Sequence, residues 1–205
     1  MASRDILTIG TSAGGFEALR FLASEFPHDF PASVVVVIHL SSQFRTTLDA
    51  ILTEAGPLPA TFAVDGEKFE RGHIYIAPPE RHLLLENGQL CLGSGPRENN
   101  ARPALDPLFR SAALCYGPRA IGAVLTGQMG DGAAGLSVLK RCGGITVVQD
   151  PSDAAFPEMP ATALSRSKPD HIVGLADMPA LFEKLVRRPS GQYRSRATSN
   201  TKSTS

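Results

Sequence analysis

Three residues in this chain have the types and surroundings needed for nucleophilic chemistry. Ser12 lies in Gly10-Thr11-Ser12-Ala13-Gly14-Gly15, directly after the apolar run Ile6-Leu7-Thr8-Ile9. His39 closes the run Ser33-Val34-Val35-Val36-Val37-Ile38. Asp131 sits in Gly130-Asp131-Gly132, shortly after the apolar residues 120–125. A serine hydroxyl attacks poorly until a base takes its proton, and the base works best when a third group fixes its tautomer. Serine, histidine and aspartate in this order therefore predict acyl transfer: Ser12 attacks, His39 moves the proton and Asp131 orients the ring. The segment around Ser12 also fits G-x-S-x-G, a sharp strand-to-helix elbow that exposes the hydroxyl. Free backbone N–H groups at the start of the following helix are suited to holding an oxyanion.

Each residue has a plainer use when taken alone. Ser12 would serve as a helix cap, His39 as a hydrogen-bonded strand-end residue and Asp131 as a turn former between glycines. What favours chemistry is that all three follow the carboxyl ends of strands. Open α/β sheets gather their ligands at that edge, near the point where the strand order reverses.

The elements that must position these residues can be read from periodicity. Phe16, Leu19, Leu22 and Phe26 recur at helical spacing behind the glycine turn, giving a strand, a tight turn and a helix. Residues 33–38 are apolar on both faces, as a parallel strand covered on both sides requires. The pattern further predicts helices over 46–54, 105–115, 133–140, 159–165 and 178–186. It predicts strands over 120–125 and 146–149, and a last short strand or loop over 171–173. Between 63 and 92, the short runs 73–77, 82–85 and 89–92 read as a β-rich insertion, with Asn87-Gly88 as a hairpin turn. The expected fold is α/β: a doubly wound, mainly parallel sheet with helices on both faces and a small β-hairpin insertion. Residues 1–188 form the predicted domain. Residues 189–205, rich in serine, threonine and arginine, predict a disordered tail.

Composition removes several function classes. Lysine plus arginine balances aspartate plus glutamate at 20 each, so no general attraction to nucleic acid or anionic membrane is expected. Cys91, Cys115 and Cys142 are odd in number and widely spaced, which predicts free thiols rather than disulfides or a zinc site. The chain opens MASRDILTIG, without the apolar run of a signal peptide, and its longest apolar stretch, Val34 to Ile38, is far too short to span a bilayer. A cytoplasmic protein with no membrane insertion is expected.

At these residues the sequence resembles the protein-glutamate methylesterases of bacterial chemotaxis, specifically their C-terminal catalytic domain. The resemblance covers residues 6–186 and rests on separated motifs. They are Ile9-Gly10-Thr11-Ser12-Ala13-Gly14-Gly15, Val37-Ile38-His39, Gly72-His73-Ile74-Tyr75-Ile76-Ala77-Pro78, Arg102-Pro103 with Asp106, Leu108, Phe109 and Ser111, Leu125-Thr126-Gly127, Gly130-Asp131-Gly132-Ala133-Ala134-Gly135, and Met159-Pro160. The resemblance implies a serine esterase that removes methyl groups from γ-glutamyl esters on the cytoplasmic domains of methylated chemoreceptors. In some relatives it also implies deamidation of receptor glutamines. It implies no metal and no organic cofactor, and it places nucleophile, base and aspartate on Ser12, His39 and Asp131.

The chain departs from the family pattern in several places. The family often has Met-Gly-x-Asp-Gly where this chain has Gln128-Met129-Gly130-Asp131-Gly132, so Gln128 takes the position whose backbone N–H serves the oxyanion. Ala13 replaces a frequent threonine and keeps its N–H for the same purpose. Ala13, Gln128, Met129 and His82 are the expected oxyanion or substrate-lining residues, His82 having a structural role as its alternative. The best-known members carry an N-terminal receiver domain for which this chain has no room, so a constitutively accessible site, a separate regulatory protein or a chain excised from a larger protein is expected. The rival readings are a nucleotide-binding module, a lipase-type hydrolase, and an inactive member acting as a receptor- or partner-binding module. The first lacks G-x-G-x-x-G and a Walker lysine, and the second needs its histidine after its acid.

Overall fold

The computed structural model describes residues 3–39 and 47–187. The predicted tail at 189–205 and the start of the predicted helix at 46 lie outside the described residues.

Outside residues 60–93, apolar strands of three to six residues alternate with amphipathic helices along the chain. In chain order the elements are β1 (Ile6–Thr11), α1 (Gly15–Glu25), β2 (Ser33–Ile38), α2 (Leu48–Ala55), β3 (Ala60–Phe62) and β4 (Ile74–Ile76). The hairpin β5 (His82–Glu86) and β6 (Gln89–Gly93) comes next, then α3 (Leu105–Tyr116), β7 (Ala120–Val124), α4 (Ala133–Arg141) and β8 (Ile145–Gln149). The last three are α5 (Glu158–Ser167), β9 (His171–Val173) and α6 (Met178–Val186). Seven strands form one sheet in the order β3-β4-β2-β1-β7-β8-β9, and every pairing within it is parallel.

Alternation along the strands divides the core in two. Leu7, Ile9, Val34, Val36 and Ile121 face α1, α2 and α6, where Leu22, Leu52 and Phe182 fill the layer. Ile6, Val35, Val37 and Val124 face α3, α4 and α5, against Leu105, Phe109, Leu136 and Met159. A sheet buried on both faces needs strands apolar at every position, and β1 and β2 are buried throughout.

One sequence expectation needs correction. The run 73–77 was assigned to the β-rich insertion, but Ile74–Ile76 is β4 of the main sheet, paired with β2 through Val34↔Ile74 and Val36↔Ile76. β3, unforeseen in the sequence, extends the same edge. The insertion is therefore only the antiparallel hairpin β5–β6, turned at Asn87 and Gly88, whose φ values are 47° and 84°. Left-handed dihedrals at both turn residues are what a two-residue hairpin favours, and Asn-Gly adopts them readily. Leu83, Leu85 and Leu90 of the hairpin are fully buried in the layer that contains α3. At about 1.5–3 kcal/mol of burial each, they hold the hairpin to the domain.

The strands before the hairpin lie on one side of β1 in the spatial order β2, β4, β3, and the chain then crosses to the other side of β1 as β7. The strand order thus reverses between β1 and β7. Gly10 pairs with both Val37 and Val124, so the carboxyl ends of β1, β2 and β7 are level. This is the crevice where a parallel α/β sheet places its chemistry.

Candidate active site

The turn after β1 holds Ser12 at this crevice. The backbone N–H of Ser12 donates to Thr126 O at 3.0 Å, and its carbonyl accepts from Gly15 N at 2.9 Å. Gly14, with φ 75°, supplies the left-handed turn into α1. Thr126 ties this turn to the β7 loop: its carbonyl also accepts from Thr11 Oγ1 at 2.8 Å, and its hydroxyl donates to Ala13 O at 3.1 Å. Its own N–H is held by Gln149 Oε1 at 2.8 Å. The position of Ser12 is thus set from two strands at once.

His39 follows β2, and its N–H donates to Thr11 O at 3.2 Å, carrying the β1–β2 ladder one step past the strands. Its Nε2 lies 2.9 Å from Asp131 Oδ2. Asp131 is fully buried. Besides the imidazole, its carboxylate accepts from Leu105 N (2.6 Å), Asp106 N (3.2 Å), Gly132 N (2.8 Å) and Asn99 Nδ2 (2.8 Å). Two of these donors, Leu105 and Asp106, are at the amino end of α3, where unpaired N–H groups and the helix dipole favour an anion. Burial alone would push the Asp131 carboxyl up. The bonds from His39, the Leu105 N–H and the Asn99 amide outweigh it and hold the group below the ordinary carboxylate value.

Ser12 and His39 share a cavity of about 420 Å³. Gln128, Met129, Asn100 and Pro103 contribute to its walls, and Glu80, Arg97 and Arg102 form a charged rim. Glu80 accepts from Arg97 Nη2 at 3.0 Å and Arg102 Nη2 at 3.2 Å. With Nε2 of His39 held by Asp131, Nδ1 has no hydrogen-bond partner among the described residues. Ser12 Oγ makes no hydrogen bond among the described residues, an open geometry common in unliganded sites. A larger cavity, about 630 Å³, opens at the opposite ends of the strands around Asp5, Arg71 and Arg119, and no histidine lines it.

The other expected site residues separate. Gln128 and Met129 line the cavity, whereas Ala13 sits half-buried beside it. The N–H groups of Ala13 and Gln128 have no hydrogen-bond partner among the described residues, while that of Met129 donates to Glu158 Oε2 at 3.2 Å. Met129 has φ 69°, a left-handed conformation that costs a side-chain-bearing residue on the order of 1–3 kcal/mol. His82 is not part of the cavity wall. It is buried, with Nε2 2.9 Å from Pro96 O and Nδ1 accepting from Ala104 N at 3.3 Å, which corrects the lining expectation in favour of the structural one.

Sequence reasoning gave no role to Asn99, Thr126 or Gln149, all of which hold the three candidate residues. Asn99 had one usable signal. Asn99-Asn100 is a pair suited to a two-residue hairpin, and both have positive φ, 50° and 62°.

The family model for CheB methylesterase matches residues 7–182. The chain belongs to the CheB methylesterase family. Relatives agree with this placement. The chain is 34% identical over 182 residues to a putative protein-glutamate methylesterase/protein-glutamine glutaminase of Leptospira interrogans, covering 88% of this chain and 94% of that one. It is 35% identical over 192 residues to protein-glutamate methylesterase/protein-glutamine glutaminase 2 of Methanosarcina mazei, covering 90% of this chain and 52% of the relative. It therefore spans about half the length of several curated relatives it matches. The crystal structure of the CheB methylesterase catalytic domain of Thermotoga maritima superposes with a TM-score of 0.85 at 32% identity, covering 90% of this chain and 100% of that one. The parallel sheet with its small antiparallel hairpin is thus the fold of a CheB catalytic domain. Among the described residues, no helix is long and apolar enough to cross a membrane.

Proposed function

We propose that this chain is a serine hydrolase that removes the methyl group from γ-glutamyl methyl esters on the cytoplasmic domains of chemoreceptors. The observation that carries this reading is the 2.9 Å contact of His39 Nε2 with the buried, five-donor carboxylate of Asp131, beside the cavity His39 shares with Ser12. An aspartate so held stays ionised and fixes the ring with its proton on Nε2. Nδ1 is then bare and basic.

In this reading Ser12 Oγ attacks the ester carbonyl while His39 Nδ1 takes its proton. In this reading the N–H groups of Ala13 and Gln128, which have no partner among the described residues, receive the developing oxyanion, a backbone duty indifferent to the glutamine side chain. His39 then gives the proton to the departing methoxide, releasing methanol and leaving a glutamyl ester on Ser12. Water, deprotonated by the same nitrogen, hydrolyses that ester to the glutamate carboxylate and restores Ser12. A glutamine side chain would reach the same acyl-enzyme with loss of ammonia, as the methylesterase/glutaminase names of the relatives suggest.

The test is methanol release from methylated chemoreceptor membranes, comparing the intact chain with Ser12→Ala. Release by the intact chain and none by the variant is expected. The Ser12 hydroxyl, without a hydrogen bond among the described residues, also suits a second reading, a receptor-binding module without turnover. Binding to receptor membranes with no methanol release and no labelling of Ser12 by a fluorophosphonate would establish that reading instead.

A further inference from the structure

We propose that Asn99 is a positioning residue of the active site, its carboxamide clamping Asp131 to a second buried carboxylate, Asp106. The inference rests on the Ser12, His39 and Asp131 reading above and deepens it.

Glu98 and Ala101 are joined by reciprocal backbone bonds, Glu98 N to Ala101 O at 3.1 Å and Ala101 N to Glu98 O at 2.9 Å. The intervening Asn99 and Asn100 are both left-handed, which makes a two-residue turn of the kind asparagine favours. Arg110 of α3 holds the turn through Glu98, with contacts of 2.7 and 2.9 Å. The turn therefore cannot tilt without breaking that pair, and it drives the Asn99 side chain inward. There a single nitrogen, Asn99 Nδ2, donates to Asp131 Oδ1 at 2.8 Å and to Asp106 Oδ2 at 2.9 Å. An amide nitrogen has two N–H bonds, and both are spent on these acceptors.

Two buried carboxylates sharing one donor cannot ionise independently, because each charge raises the cost of the other. Asp131 has five donors, including the imidazole. Asp106 has two, Asn99 and Gly135 N at 2.6 Å. The negative charge therefore settles on Asp131. The other charged groups nearby are His39, Arg110 on α3, and Glu98, which Arg110 already pairs. Asn99 supplies hydrogen to both carboxylates without adding charge, so Asp131 remains an anion of fixed direction toward His39 Nε2.

The discriminating variant is Asn99→Asp, which has the same shape and tolerates the same left-handed backbone. It replaces the shared donor by a third carboxyl group, whose single proton can satisfy only one neighbour. The added negative character beside Asp131 favours the protonated imidazole, which cannot act as base. The rate of Ser12 labelling by a fluorophosphonate is followed against pH for the full chain, with methanol release alongside. The acid limb of the Asn99→Asp profile is expected to move to higher pH. Asn99→Ala, which loses one hydrogen bond to a charged group, is expected to slow labelling roughly 10- to 100-fold at neutral pH. A contact that only stabilised the fold would lower the folded fraction and leave the limb in place. An unmoved acid limb in a folded, labelled Asn99→Asp chain overturns the proposal. A wild-type chain that takes no label at any pH overturns the nucleophile reading beneath it.

Discussion

Replacing Asp131 by asparagine tests the candidate site most severely, because the donors around it leave the new amide only one tolerable orientation. Oδ1 accepts from Asn99 Nδ2, Asp106 N and Gly132 N, whereas Oδ2 accepts from His39 Nε2 and Leu105 N. An amide keeps one acceptor and gains one donor group. With its oxygen at the Oδ1 place it keeps three bonds and sets its NH₂ against Leu105 N–H, where donor and acceptor are now 2.6 Å apart. With the orientation reversed, three donors are opposed instead. The first arrangement prevails, so the NH₂ also faces His39 Nε2.

The consequence for His39 is a change of tautomer. Nε2 must become an acceptor, which moves the ring proton to Nδ1, the nitrogen that receives the Ser12 proton in the proposed mechanism. The hydrogen bond survives, but the base is blocked. Methanol release should fall about 10⁴-fold, the loss seen when an orienting aspartate becomes asparagine in a serine triad. That corresponds to about 5 kcal/mol of barrier. Stability should fall as well, by roughly 1–3 kcal/mol for the opposed Leu105 N–H, read as an earlier urea midpoint. Activity within tenfold of the wild type in a folded Asp131→Asn chain would refute the reasoning, since no geometry of this carboxylate site leaves Nδ1 bare once Nε2 has lost its acceptor.

Two further outcomes follow from close packing and from charge. A Cβ on Gly127 would lie 2.8 Å from Ser12 Cβ and 2.7 Å from Met159 Cε, so Gly127→Ala should displace the nucleophile; a fall in kcat larger than any loss of Tm is expected, and unchanged kcat would show the turn to be slack. At the other end of the sheet, Asp5 is buried between Arg119 (2.7 Å) and Arg71 (2.8 Å). Burial would raise its carboxyl, but the two guanidinium groups prevail and hold it below the ordinary 3.8. A depressed acid stabilises fully above its unfolded value and loses that contribution as pH falls through the folded one. The urea midpoint should therefore drop in the acid range below about pH 4, and less steeply in Asp5→Asn; equal acid slopes in the two chains would remove Asp5 from the account.

How far the sequence could be read depends on whether each signal was local. β2 was legible because a strand covered on both faces is apolar on both, and residues 34–38 are an unbroken apolar run behind Ser33. β1 with its glycine turn and α1 were legible for a related reason: the change from an apolar run to helical spacing occurs at one place. β3 and β4 have three residues each, too few for a period to register, and only the pairing of β4 with β2 distinguishes a sheet strand from an insertion. The candidate catalytic residues follow the same logic. Ser12, His39 and Asp131 could be named because each stands just past a strand end, and parallel strands bring such ends together whatever lies between them in the chain.

The residues that hold those three were not legible, because their partners are distant and their types are ordinary. Asn99 reaches Asp131 from 32 positions away, and Thr126 reaches Ala13 from 113. His82 shows the converse error. Histidine in a recurrent family position invites a functional role, yet both of its ring nitrogens are taken by the backbone of Pro96 and Ala104. A ring so engaged would have to give up a hydrogen bond at each nitrogen before it could move a proton, whereas Nδ1 of His39 has no partner among the described residues. What separates the candidate base from a structural histidine is therefore the number of ring nitrogens without a partner among the described residues, and that number exists only once the chain has folded.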